Sequence, residues 1–173
     1  MILVSVGTQL PFDRLIKTVD AWAIRSGRDD ILAQTGPGHY TPSAIKAFEF
    51  MEHERFLALQ QEAELMVSHA GMGSIITALE MGKPIIVMAR DHLRGEHRNG
   101  HQLSTVAHLC DRPGVYVARD EAELLSYLDR CDELVAKARL APAAPSAFIE
   151  KLFDYIHNTP KPSRLQQFFR LFR

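Results

Sequence analysis

Short, nearly unbroken apolar runs, each followed by a segment of helical spacing, constrain this chain more than any other feature. Ile2-Leu3-Val4-Ser5-Val6 stops at Gly7, Leu65-Met66-Val67-Ser68 runs into a small-residue turn, and Ile85-Ile86-Val87-Met88 precedes a polar loop. A strand with one wetted face alternates apolar and polar residues; one covered on both faces does not, and such strands belong to parallel sheets flanked by helices. Pro11 suits the first turn of a helix reaching about Arg25, in which Leu15, Ile16, Val19, Trp22 and Ala23 follow helical spacing and Gly27 ends it. Residues 30–34 read as a second strand, 47–51 as a third and 54–62 as a helix. Helices over 102–109 and 121–128 flank a strand at 115–117, and another helix spans 146–157. This alternation predicts right-handed crossovers and an α/β, open, doubly wound parallel sheet with its ligand at the carboxyl ends of the strands. The 173 residues suit one domain over 1–158, then a Pro-containing spacer and an aromatic, basic tail over 159–173.

Ser68-His69-Ala70-Gly71-Met72-Gly73-Ser74 joins a buried strand to a helix starting near Gly73 and closed by Gly82-Lys83-Pro84. A bare Gly-x-Gly turn is only a turn. Between strand and helix, however, it turns backbone N–H groups and the positive end of the helix dipole toward a bound anion, and Ser74 and His69 add side-chain donors. The first strand leads into Gly7-Thr8-Gln9-Leu10-Pro11 rather than GxGxxG, and the P-loop pattern is absent, so a nucleotide ligand other than a nicotinamide dinucleotide is expected. The loop over 90–102 is dense in hydrogen-bonding side chains, and Arg94, Glu96, His97, His101 and Gln102 together suit sugar hydroxyls. Its alternatives are a solvated surface loop and a metal site, since His97 and His101 would share a face if helical; Gly100 and the lack of a third ligand at defined spacing favour no metal.

A net charge of −1 supplies no basic surface, so no nucleic-acid partner is expected. Cys110 and Cys131 form no CxxC pair and read as small buried thiols in a reducing, cytosolic setting. The start of the chain lacks a basic leader, and no apolar run approaches membrane-spanning length. Leu165-Gln166-Gln167-Phe168-Phe169-Arg170-Leu171-Phe172-Arg173 mixes aromatics with arginine; it either folds back on the core or docks to a partner or an anionic bilayer.

The opening Val4-Ser5-Val6-Gly7-Thr8, the loop Gln34-Thr35-Gly36, Ser68-His69-Ala70-Gly71 with Gly73-Ser74, Gly82-Lys83-Pro84 and His101-Gln102 together resemble the carboxyl-terminal, donor-binding half of GT-B glycosyltransferases of family 28. The resemblance covers most of 1–157 and is strong toward stand-alone small subunits, including those of dolichol-linked UDP-GlcNAc transfer and bacterial exopolysaccharide or capsule synthesis. It implies a Rossmann-like sheet equivalent to the C-terminal half of the GT-B fold and an inverting, UDP-sugar-dependent hexosyltransferase without a cofactor. Gly7, Thr8, Gly36, Ser68, His69, Gly71, Gly73 and Ser74 would hold the nucleotide and diphosphate, and Glu96, His101 and Gln102 the sugar. Thr77 stands where relatives place a ribose-binding glutamate, with Glu80 one turn later as its substitute. His69 and Glu96 are the candidate bases within this chain. The acceptor-binding half is missing, so the resemblance implies a membrane-anchored partner subunit that brings a lipid-linked saccharide acceptor and recruits a cytoplasmic chain to the membrane.

Overall fold

The computed structural model describes residues 1–98, 100–109, 111–136, 139–140 and 143–158; Cys110 and the expected spacer and tail over 159–173 lie outside the described residues. The chain divides into two units, Met1–Leu140 and Ala141–Arg173. In the first unit, β1 (Ile2–Ser5), α1 (Asp13–Ser26), β2 (Ile31–Gln34), β3 (Lys46–Phe48), α2 (His53–Glu62), β4 (Leu65–His69), α3 (Met72–Met81) and β5 (Ile85–Met88) follow in order. A 3₁₀ turn (His92–Arg94), α4 (His101–Leu109), β6 (Val115–Ala118), α5 (Glu121–Leu128) and a second 3₁₀ turn (Cys131–Glu133) complete it. The strands form one parallel sheet in the order β3-β2-β1-β4-β5-β6.

The unbroken apolar runs are explained by two cores, one on each face of the sheet. Ile2, Val4, Leu65, Val67, Ile86 and Met88 point to the side covered by Leu15, Ile16, Val19 and Trp22 of α1 and by Leu124 and Leu128 of α5. Leu3, Met66, Ile85 and Val87 point to the other side, against Ile75, Ala78 and Leu79 of α3. Each fully buried side chain of this size contributes about 1.5–3 kcal/mol, which outweighs the few tenths by which most residues differ in helix propensity.

Two boundaries depart from the sequence expectation by more than one residue. Pro11 precedes α1, whose N-cap is the buried Phe12, whereas α3 begins at Met72, as expected near Gly73, with Gly71 as its N-cap. The third strand is Lys46–Phe48 rather than 47–51. It is an edge strand paired only with β2, and beyond Phe48 the Glu49 carbonyl accepts the Gly36 N–H and the Gln34 amide, so the chain turns away and leaves Phe50 and Met51 in a loop. The helix expected to close the domain, α6 (Ser146–Asn158), falls in the second unit, and no residue of it is buried. Phe148, Ile149, Leu152, Phe153 and Ile156 share one exposed face of it. Among the described residues, no helix is long and apolar enough to cross a membrane.

A buried carboxylate organises the approach to β3. Asp20 of α1 is fully enclosed and accepts hydrogen bonds from the Tyr40 hydroxyl at 2.7 Å, from the N–H groups of Ser43, Ala44 and Ile45 at 2.9–3.1 Å, and from the Ser43 hydroxyl at 3.1 Å. Burial alone would raise its pKa, but these donors hold it at about 2. Its contribution to stability is therefore present above the ordinary carboxylate range and lost as pH falls through about 2. Asp20→Asn turns one acceptor into a donor facing backbone N–H groups and is expected to cost roughly 2–4 kcal/mol. A urea midpoint unchanged from wild type would show that the loop over 40–45 does not depend on this anchor.

Candidate functional site

The strand order reverses between β1 and β4, and in open α/β sheets that switch point is where a crevice opens beyond the strand ends. Here it is a cleft of about 420 Å³ lined by residues 7–10 and 69–74, Arg90, His97, His101, Gln102 and Thr105. His69, the last residue of β4, is wedged across it. A Cβ on Gly7 would lie 2.9 Å from the ring Nε2, and one on Gly71 would lie 2.1 Å from Cε1. Gly7 also has φ +78°, which favours glycine independently. The two glycines are thus fixed by one imidazole.

Burial, reinforced by Arg90 and His97, lowers the His69 pKa to about 4, so the ring is neutral at physiological pH. Its Nδ1 lies 3.2 Å from the Gln102 Nε2, and the Gln102 Oε1 accepts the Arg90 backbone N–H at 3.0 Å. Arg90 is 4% exposed, donates to the carbonyls of Val6 and Leu10, and lies over the Phe12 ring at 5.3 Å. Burial lowers its pKa to about 10, which leaves it cationic at neutral pH. It is the sole Lys, Arg, Asp or Glu side chain among the described residues lining the cleft.

The opening turn of α3 completes this floor. Its first internal acceptor, the Gly71 carbonyl, is taken by Ile75, and no side chain caps the helix, so the N–H groups of Met72, Gly73 and Ser74 precede the helical ladder at the positive end of the dipole. Gln34 braces the opposite wall by accepting the Gly7 N–H at 3.0 Å and donating to the Gly7 carbonyl at 2.9 Å. Gly36 packs against that carbonyl, 2.5 Å from where its own Cβ would stand. An adjoining, mainly apolar cleft of about 260 Å³ shares Gly7, Thr8 and Ser74 with the first and adds Phe50, Met51, His53 and Phe56.

Residues 1–151 match the sequence profile described as the glycosyltransferase family 28 C-terminal domain. The chain belongs to this family. Human UDP-N-acetylglucosamine transferase subunit ALG13 is 35% identical over 118 residues, 62% of this chain but 10% of the human protein. The Eremothecium gossypii subunit of the same name is 35% identical over 97 residues, 55% of this chain and 45% of its own length. The chain therefore matches less than half the length of these curated relatives. The solution structure of ALG13 superposes with a TM-score of 0.56 at 18% identity, covering 87% of this chain and 93% of that one. Acinetobacter baumannii MurG superposes at 0.59 and 16% identity, covering 91% of this chain and 49% of MurG. At such identities the likeness establishes the fold, a Rossmann-like family 28 domain equivalent to half of a two-domain GT-B enzyme.

The structure gathers Gly7, Thr8, His69, Gly71, Gly73, Ser74, His101 and Gln102 of this family 28 domain at one cleft, with Gly36 behind Gly7. Four expected contacts are placed elsewhere. Ser68 is fully buried, its hydroxyl 3.1 Å from that of Ser5 and donating to the Ser5 carbonyl, so it joins β1 to β4 and is outside the described cleft lining. Thr77 and the exposed Glu80 are outside the described cleft linings. Glu96 takes Arg14 Nε and Nη2 in a bidentate pair at 2.8 Å each and also accepts the Asp91 N–H; its carboxylate is a strut between α1 and the loop after β5, and it is outside the described cleft lining. His97 and His101 both line the cleft, but α4 starts at His101, so they do not share a helical turn. Among the described residues no group of three or more His, Cys, Asp or Glu side chains converges as a metal site. Sequence reasoning quoted Gln34 and the loop opening at Arg90 without giving either residue a role of its own, and it missed the aromatic wall of Phe50 and Phe56.

Proposed function

We propose that this domain binds a UDP-sugar and, with a membrane-anchored acceptor-binding subunit, transfers the sugar with inversion to a lipid-linked saccharide during surface polysaccharide assembly. The observation that carries the reading is the cluster of donors at the switch point: three helix-terminal N–H groups, the Ser74 hydroxyl, a neutral imidazole and one guanidinium around a cleft without a carboxylate among its described lining. Such a set suits a diphosphate. The adjoining apolar cleft of Phe50, Met51 and Phe56 suits the flat base of the nucleotide, and His97 and His101 in the lining of the first cleft suit sugar hydroxyls.

In the transfer step the bond from the anomeric carbon to the β-phosphate oxygen breaks as the acceptor oxygen attacks from the opposite face, and the electron pair remains on UDP. The N–H groups of Met72, Gly73 and Ser74 and the Arg90 charge stabilise that growing negative charge. The acceptor hydroxyl must lose its proton, and with Glu96 occupied by Arg14 the base falls to the partner. The exposed apolar face of α6 supports docking to such a partner. The lack of a carboxylate in the described lining also suits a non-catalytic nucleotide-sugar-binding subunit, which would bind UDP-sugar yet give no transfer with any acceptor subunit.

Gly73→Ala separates binding from folding. A Cβ there meets nothing within 4 Å in the protein, and alanine is favoured over glycine in a helix by up to about 1 kcal/mol, so the melting temperature should hold or rise. The added methyl stands where a diphosphate would approach the backbone, and UDP affinity by calorimetry should fall about tenfold. Equal UDP affinity in both proteins, or none in the wild type, would overturn the assignment.

A further inference from the structure

We infer that Gln102 is a positioning residue that sets the tautomer of His69, so that an Nε2–H donor, and not a bare nitrogen, faces the Gly7 turn. The site's ligand rests on the reading above; the tautomer does not.

The chain of donors runs in one direction only. A backbone N–H can donate and never accept, so the Gln102 atom 3.0 Å from the Arg90 N–H is the amide oxygen. The amide NH2 is then the group 3.2 Å from the His69 Nδ1. An NH2 offers no lone pair to a ring N–H, so Nδ1 is the acceptor and the single proton of the neutral ring resides on Nε2. That nitrogen is the ring atom beside Gly7, 2.9 Å from where a Cβ there would stand, at the margin of the cleft. Gln102 itself is only 6% exposed, which keeps water from reversing the amide. Arg90 thus serves twice, its main chain orienting Gln102 and its side chain holding the Val6 and Leu10 carbonyls. The chemical consequence is that His69 has a proton at Nε2 to offer a phosphoryl oxygen and no lone pair there with which to deprotonate an acceptor hydroxyl.

Long-range ¹⁵N–¹H correlation on the full, uniformly labelled chain without ligand, at pH 7, reads this directly. In the wild type, the His69 Nε2 should show the signature of a protonated ring nitrogen and Nδ1 that of a bare one. Gln102→Glu places a carboxylate oxygen where the NH2 was, and Nδ1 should become protonated. Gln102→Leu, which removes the donor, should mix the two tautomers and weaken binding of UDP about tenfold, the scale of one hydrogen bond. A wild-type ring protonated at Nδ1, or Gln102→Glu leaving the ring pattern unaltered, overturns the inference. Because the wild-type spectrum alone decides, a poorly folded variant does not shield it. Absence of UDP binding alongside the expected wild-type pattern would overturn the functional reading and leave the tautomer assignment standing.

Discussion

Gly71→Ala should reduce UDP affinity by a factor of about 100 or more while leaving the chain folded, because the new methyl would occupy the space of the His69 ring. Its Cβ would lie 2.1 Å from Cε1, 2.8 Å from Nδ1 and 3.0 Å from Nε2. The backbone at Gly71, with φ −87° and ψ 134°, is open to any L residue, so the cost is steric alone. To make room the ring must move, and moving it breaks the link to Gln102 and draws Nε2 from its place beside Gly7. Overpacking of this kind costs about 1–3 kcal/mol of stability, well below what unfolds a domain of this size. Calorimetry with UDP and thermal denaturation check the two halves. In the double variant Gly71→Ala with His69→Ala the melting temperature should recover and the affinity should not. Near-wild-type affinity in the single variant would remove His69 from the site.

Arg90→Met should damage both stability and binding. The guanidinium is almost completely buried and serves two carbonyls of the turn after β1, Val6 at 2.6 Å and Leu10. Methionine keeps much of the volume over Phe12 but leaves those carbonyls unpaired, a loss of about 2–6 kcal/mol in total at about 1–3 kcal/mol for each. The same change removes the cationic side chain of the cleft, and UDP affinity should drop at least about tenfold. Arg90→Lys would retain the charge yet reach one carbonyl at most, so it should recover affinity better than stability. A urea midpoint equal to wild type in Arg90→Met would mean the turn is held by other contacts.

What could be read from the sequence was what local order determines. The central strands were legible because residues such as Leu3 and Val4 face opposite cores and both must be apolar. The edge strand was not, since exposed Lys46 and Ala47 carry no burial signal while the aromatic Phe50 imitates one from a loop. At the cleft, the turn from His69 to Ser74 and the pair His101-Gln102 declared themselves as contiguous motifs. The pairing of Glu96 was not legible because its partner Arg14 is 82 positions away, and a carboxylate in a polar loop reads the same whether it faces ligand or a guanidinium. Arg90 was obscured for a related reason: its partners are the main-chain carbonyls of Val6 and Leu10, which leave no trace in side-chain identity. Ser68 belonged to a recognisable motif, yet its place within β4 turns the hydroxyl toward Ser5.

Under the proposed function, the grip on the leaving group is separate from the group that takes the acceptor's proton, and that separation has a metabolic consequence. A cleft with a guanidinium and no carboxylate in its described lining would retain an activated sugar without arming the water beside it. The isolated chain would then waste little donor by idle hydrolysis, and glycosyl transfer would be throttled by assembly of the complex instead of by supply of the nucleotide.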